Sequence, residues 1–411
     1  MKRILLLLPS LFLFTILSFA QNPLQDLLTK NKQAFGDILD RPAHYETQII
    51  YTQIDRDSAN VPSFTSFEYG VNSNQYFYPA STVKFPTALV ALEKLNQLKI
   101  IGLDKNTPMR TDVSSAPQTK AFTDATSENV LPSIAHYIKK IFLVSDNDAY
   151  NRLYEFVGQK QLNETLWEKG FTNTRLIHRL SEPGYDSLSN QYTNPVTFYK
   201  SNKILYHQGE VSSRAYPPLE LENEIKGKGY ENKEGKIVNK PFDFRYKNYC
   251  SLSDLHALLQ TTLFPESVSK DQRFDLSESD YQLLYQYMSQ HPREGQYPYF
   301  DQPDGYVKFF LFSENEEKIP DHIRIFNKVG DAYGYLTDVA YVIDLKNNIE
   351  FMIAATIHVN DNRIYNDGVY EYDKKGFPFF KKLGQFIYEY ELGRKRAYPV
   401  DLSRFRNIDY K

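Results

Sequence analysis

The chain has 411 residues, with 48 Lys and Arg against 51 Asp and Glu, for a formal net charge of −3. Charge this balanced, with the cations scattered rather than clustered, leaves no electrostatic footprint for a nucleic-acid partner. One cysteine, Cys250, excludes an internal disulfide, and the eight histidines form no ligand-spaced cluster, so no metal or other cofactor is expected.

Residues 1–20 open with Met-Lys-Arg, continue as a Leu- and Phe-rich run and end Leu-Ser-Phe-Ala. This pattern predicts an export signal cut after Ala20 and a periplasmic or secreted product. Cysteine does not follow the cut, so no lipid anchor is expected, and no later run reaches the roughly eighteen apolar residues of a membrane span. About 390 residues remain, enough for a sizeable core in one domain or two lobes. Tyr and Phe are abundant, at 32 and 28, and most are read as packing.

Leu24, Leu27, Leu28, Phe35, Ile38 and Leu39 recur at roughly helical spacing over residues 23–40. Strands are predicted at 48–54 and 66–71. From residue 85 to about 167 the apolar spacing is helical, clearest at 134–143 and 149–157. Residues 200–248 carry mixed charge, several Gly and Pro and no sustained period, which predicts an irregular insertion or a small extra subdomain. Three β-rich runs follow at 322–329, 333–343 and 349–358, joined by Gly-containing or Asn-Asn turns, and read as consecutive antiparallel strands. An amphipathic helix at 377–392 would cover one face. Strands at both ends with helices between predict an α+β domain over 21–411. One sheet-bearing lobe would comprise about 21–80 and 320–411, with a helical lobe at about 81–319.

The chemistry starts at Tyr78-Pro79-Ala80-Ser81-Thr82-Val83-Lys84-Phe85-Pro86. Ser81 and Lys84 stand three apart at a helix start, so both side chains emerge on one face and the amine can take the hydroxyl proton. A second Ser-x-x-Lys, Ser267 to Lys270, is followed by polar sequence and reads as a solvated edge. The first copy is followed by Phe-Pro-Thr-Ala-Leu-Val-Ala-Leu, an apolar run that can bury its helix. Ser145-Asp146-Asn147 opens another helix, where a plain N-cap is an alternative reading. Lys328-Val329-Gly330 ends the first C-terminal β-run and precedes Asp331-Ala332-Tyr333-Gly334. Tripeptides of the same form at Lys233, Lys374 and Lys382 lack that context, and an exposed strand-end lysine is the alternative for Lys328. Arg179-Leu180-Ser181-Glu182-Pro183 lies between, with a solvated loop carboxylate as the alternative for Glu182.

Taken in this order, Ser-x-x-Lys, Ser-Asp-Asn and an altered Lys-Thr-Gly resemble the signature of the serine β-lactamase and penicillin-binding superfamily, and most closely class A β-lactamases. Arg179 to Pro183 resembles the class A omega loop. The resemblance implies an α/β sandwich lobe with a five-stranded antiparallel sheet and an inserted all-helical lobe. It implies Ser81 as nucleophile, Lys84 as a neutral base, Ser145 as proton carrier to the leaving nitrogen and Glu182 as the deacylation base. Asn147, Lys328, Gly330 and Asp331 would bind substrate, the last through its backbone N–H together with that of Ser81. The implied function is β-lactam hydrolysis through an acyl-enzyme by a monomer with a small-molecule partner. Two alternatives are a D-Ala-D-Ala carboxypeptidase or related cell-wall hydrolase acting on peptidoglycan-like peptides, and a non-catalytic wall-binding protein. Val329 replaces the hydroxyl residue of Lys-Thr-Gly, and Asp186 stands where the family has an Asn that helps hold water.

Overall fold

Strands from both ends of the chain join one sheet. β1 (Gln48–Arg56) and β2 (Pro62–Tyr69) pair with each other, and β3 (Ile323–Ala332), β4 (Tyr335–Asp344) and β5 (Ile349–His358) form a meander. The order is β3-β4-β5-β1-β2, antiparallel throughout, with β1 set against β5 so that Ile50 faces Ala354. This is a computed structural model, and it describes residues 22–215, 217, 219–313 and 318–410. The predicted export signal, 1–20, lies outside the described residues.

Both sheet faces are covered, which is why β4 and β5 are continuously buried instead of alternating in polarity. Ile49, Tyr51 and Leu336 join one core with Leu24 and Leu28 of α1 (Pro23–Lys30) and Phe380, Leu383 and Ile387 of α8 (Phe377–Gly393). Ile50, Ile54 and Val339, on the opposite face, meet Leu255 and Leu259 of α6 (Leu252–Leu263). That second core runs on into α2 (Lys84–Gln97), α3 (Ile134–Val144), α4 (Asn147–Val157), α5 (Gln159–Glu168) and α7 (Glu278–Ser289). Each large aliphatic side chain buried in these cores contributes about 1.5–3 kcal/mol. The fold is α+β, as the order of elements predicts.

Two expectations need correction. The first helix stops at Lys30 because Asn31 caps it, and a short 3₁₀ turn, Lys32–Phe35, follows. Helical spacing does not persist from 85 to 167: turns and the strand Met109–Thr111 occupy 98–133, a stretch punctuated by Gly102, Pro108, Pro117 and Pro132. The described residues of 200–248 form short strands within otherwise irregular chain. Val196–Lys200 pairs with Met109–Thr111 and Lys203–Gln208, and Ile225–Lys226 pairs with Phe242–Asp243. Strands of two to six residues are too short to register a period in sequence.

Candidate active site

Ser81 lies in a 3₁₀ turn, Ala80–Val83, that leads into α2. Ala80 has φ 48°, in the left-handed region that side chains avoid, so the chain bends sharply just before Ser81. Thr82 closes the turn, its Oγ1 donating to the Pro79 carbonyl at 2.7 Å. Pro86 is accommodated because the first helical turn has no N–H to lose. Twelve consecutive residues of α2, Lys84 to Leu95, are buried, so the helix that carries Lys84 is the central post of the helical lobe.

Lys84 Nζ lies 2.8 Å from Ser81 Oγ and 2.6 Å from Asn147 Oδ1, and it donates to the Ser145 carbonyl. Ser145 Oγ is 3.2 Å from Lys84 Nζ and 2.8 Å from Lys328 Nζ, so one hydroxyl bridges the two amines. Ser145 adopts a left-handed conformation at the end of α3, which turns its side chain inward. Asp146 is the N-cap of α4, its Oδ1 accepting from Ala149 N at 2.8 Å. The capping reading of Ser-Asp-Asn therefore applies to Asp146, while Ser145 and Asn147 on either side of it meet Lys84.

Lys328 reaches the site from β3, an edge strand that presses against the nucleophile's turn. A Cβ on Gly330 would stand 2.7 Å from both Pro79 O and Ser81 N, so only glycine permits the approach. The next residue, Asp331, is thereby set beside Ser81. Val329 is buried in the core shared with α8, and its contribution toward Lys328 is its carbonyl, at 2.8 Å.

Burial lowers the pKa of Lys84 well below the usual lysine value, and the charge of Lys328 pushes it further down. Lys328 is itself lowered to about 7, again chiefly by burial. Asp331 opens toward the cleft, yet the protein around it raises its carboxyl pKa against the pull of Lys328 and Lys84. The cluster thus holds two buried amines whose pKa values are pulled down, one of them set against a serine hydroxyl. Deprotonated, Lys84 has two N–H groups and one lone pair, which match the Ser145 carbonyl, the Asn147 amide oxygen and the Ser81 O–H.

The loop after Arg179 is fixed at its neck. Arg179 is buried, pairs with Glu155 at 2.8 Å and donates to the Tyr192 carbonyl and to Asn194 Oδ1. Asn151 clamps Leu180 from both sides, accepting from its N–H at 2.8 Å and donating to its carbonyl at 3.0 Å. It is Ser181, not Glu182, that meets the cluster, accepting from Asn147 Nδ2 at 3.0 Å. Glu182 lines the same cleft as Ser81 but makes no hydrogen bond or ion pair among the described residues. Asp186 lines the same cleft, but its carboxylate is engaged locally, accepting from the Ser189 N–H and hydroxyl, each at 2.7 Å. Ser181 and Asn151 escaped the sequence reading. Asn151 stands four residues after Asn147 on the same helix face, which was the available signal. Ser267 and Lys270, the second Ser-x-x-Lys, are both exposed on 3₁₀ turns. Among the described residues, no three His, Cys, Asp or Glu side chains gather into a metal-holding group.

The model of the beta-lactamase enzyme family matches residues 39–216, a stretch that contains Ser81, Lys84, Ser145 and Asn147. That match supports a place for the chain in the serine β-lactamase and penicillin-binding superfamily. No curated protein matches it. Among solved structures, a beta lactamase from Xanthomonas campestris pv. campestris is 13% identical, covering 89% of this chain and 97% of that one, with a TM-score of 0.48. A class A beta-lactamase from Clostridium kluyveri is 15% identical, covering 87% and 98%, with a TM-score of 0.45. The protein PBP-A is 16% identical, covering 89% and 95%, also with a TM-score of 0.45.

Proposed function

We propose that this superfamily member is a serine acyl-enzyme hydrolase of the penicillin-binding kind, exported to act on D-Ala-type peptides and acylated by β-lactams. The observation that carries the reading is the buried Lys84 amine 2.8 Å from Ser81 Oγ. A serine hydroxyl becomes a useful nucleophile only when a base stands ready, and a lysine serves as base only when its pKa is brought down. In the acylation step the neutral Lys84 takes the proton as Ser81 Oγ attacks the carbonyl. Ser145, bridging Lys84 and Lys328, passes a proton to the leaving nitrogen. The N–H groups of Ser81 and Asp331 hold the oxyanion, each such donor contributing about 3–4 kcal/mol. Lys328 attracts the substrate's terminal carboxylate, Asn147 meets an amide on its acyl side, and Gly330 keeps the strand close enough for all of this.

Release of the acyl group calls for a base to activate water. Glu182 touches neither Lys84, Ser81 nor Asn147, so the ester on Ser81 is expected to persist. The second reading, class A-like β-lactam hydrolysis, is favoured by one observation, that Glu182 faces the cleft holding Ser81. A fluorescent penicillin tests both. Wild type should carry a label that survives a chase with unlabelled drug, and Ser81→Ala should carry none. Label that vanishes within the chase would favour the β-lactamase, and label retained by Ser81→Ala would remove Ser81 from its role.

A further inference from the structure

One wall of the catalytic cleft, which encloses about 1060 Å³, comes from the end of the hairpin region, Arg245-Tyr246-Lys247. That end is fastened down. Asn248 is fully buried, its Oδ1 accepting from Ile177 N at 2.7 Å and from His178 N at 3.1 Å, while its Nδ2 donates to the His178 carbonyl. Arg175 Nε donates to the Lys247 carbonyl at 3.1 Å. The Lys247 backbone is therefore as fixed as a strand residue, although it lies in a connection.

Its ammonium is treated differently from the neighbouring cations. Arg175 pairs with Glu224, Arg179 with Glu155 and Arg245 with Asp243, at 2.7 to 2.8 Å. Lys247 is half-buried, its Nζ 5.9 Å from the ring centre of Phe242 and 5.8 Å from that of Tyr333. It has no carboxylate or hydrogen-bond acceptor among the described residues. Two aromatic rings orient the charge without neutralising it, an arrangement that leaves it available to an incoming anion.

Its place along the cleft gives the anion a position on the substrate. Tyr333 is the first residue of the turn that follows β3, five positions beyond Lys328, and Asp331 lies between them. A substrate lying along β3 with its terminal carboxylate at Lys328 and its reacting carbonyl at Asp331 sends its acyl portion toward Tyr333. We propose that Lys247 forms an anion subsite on the acyl side of the cleft, and that the preferred substrate is a D-Ala-type peptide bearing a second carboxylate in its acyl portion. This inference rests on the function proposed above.

The test compares two D-alanyl-D-alanine peptides capped with hexanoyl or adipoyl groups, which match in length and differ by one terminal carboxylate. Release of D-alanine gives kcat/KM, which reports acylation. Wild type should favour the adipoyl peptide about tenfold, the low end expected for one charge-assisted contact at a half-buried site. Lys247→Met, which keeps an apolar stem against the rings, should bring the ratio near one, and Lys247→Arg should retain the preference. A ratio near one in wild type, or an unchanged ratio in Lys247→Met, overturns the subsite. Penicillin labelling run in parallel separates the two claims. Labelled wild type with no preference sinks the subsite alone, whereas wild type that neither labels nor cleaves sinks the proposed function with it.

Discussion

The cluster around Ser81 and the loop around Glu182 line one cleft but are built differently. Ser81, Lys84, Ser145 and Lys328 come from a 3₁₀ turn, two helix termini and a sheet edge, and their side-chain polar atoms meet one another at 2.8 to 3.2 Å. In the loop the rigidity stops at the neck. Arg179 and Leu180 are clamped, but Glu182 makes no hydrogen bond or ion pair among the described residues and Asp186 caps a surface turn. The half of the site proposed to form an acyl-enzyme is pre-organised, whereas the half proposed to break it is not. Rigid positioning is what converts a nearby group into a catalytic one.

Single substitutions on either side of the cleft test that contrast. Ser81→Ala and Lys84→Met should each lower the acylation rate constant by more than about a thousandfold, read from the rate of penicillin labelling. Gly330→Ala should lower it by about a hundredfold, because relief of the 2.7 Å approaches must move β3 off the nucleophile's turn. Asn151→Ala should cost about 1–3 kcal/mol in urea unfolding, since two buried Leu180 groups lose their partner. Equal stability of that variant would show that the neck is not clamped as described.

The pH dependence follows from the amines. With its pKa near 7, Lys328 loses its charge as pH rises through neutrality, so capture of a substrate carboxylate should weaken above about pH 7. The stability sign is opposite. The folded-state pKa lies below the unfolded value of roughly 10.4, so the folded protein holds fewer protons in between. The cost of burying charged Lys328 is therefore fully present below pH 7 and fades toward pH 10. Wild type should gain on Lys328→Met in unfolding free energy across that window, and a flat difference would contradict the burial account. The smallest effect is reserved for Glu182→Ala, which should change adduct lifetime by less than about threefold. A much longer lifetime in that variant would restore Glu182 as the deacylation base.

The sequence made the acylation half legible because each of its residues sits beside a strong local signal. Ser81 and Lys84 precede an apolar run, Asp146 is a capping residue, and Lys328 ends a β-rich segment. The sheet's membership was readable for the same reason, since its long strands are dense in β-branched and aromatic residues. Glu182 misled because Glu-Pro in a loop has no periodicity to say which way the side chain faces. Ser181, one residue earlier, meets Asn147 only because Asn151 and Arg179 hold the preceding chain, contacts across roughly thirty positions that no local pattern encodes. Lys247 was hidden by its short hairpins, and its meaning depends on which cations are already paired.

The account stands most directly on the fate of the Ser81 ester. Mass spectrometry of the purified protein at intervals after mixing with a penicillin, with β-lactam absorbance followed in parallel, reads it without assumptions. The prediction is a single adduct on the peptide containing Ser81, formed stoichiometrically and persisting while free drug stays intact. Steady drug hydrolysis with no accumulating adduct, or no adduct at all, would contradict it.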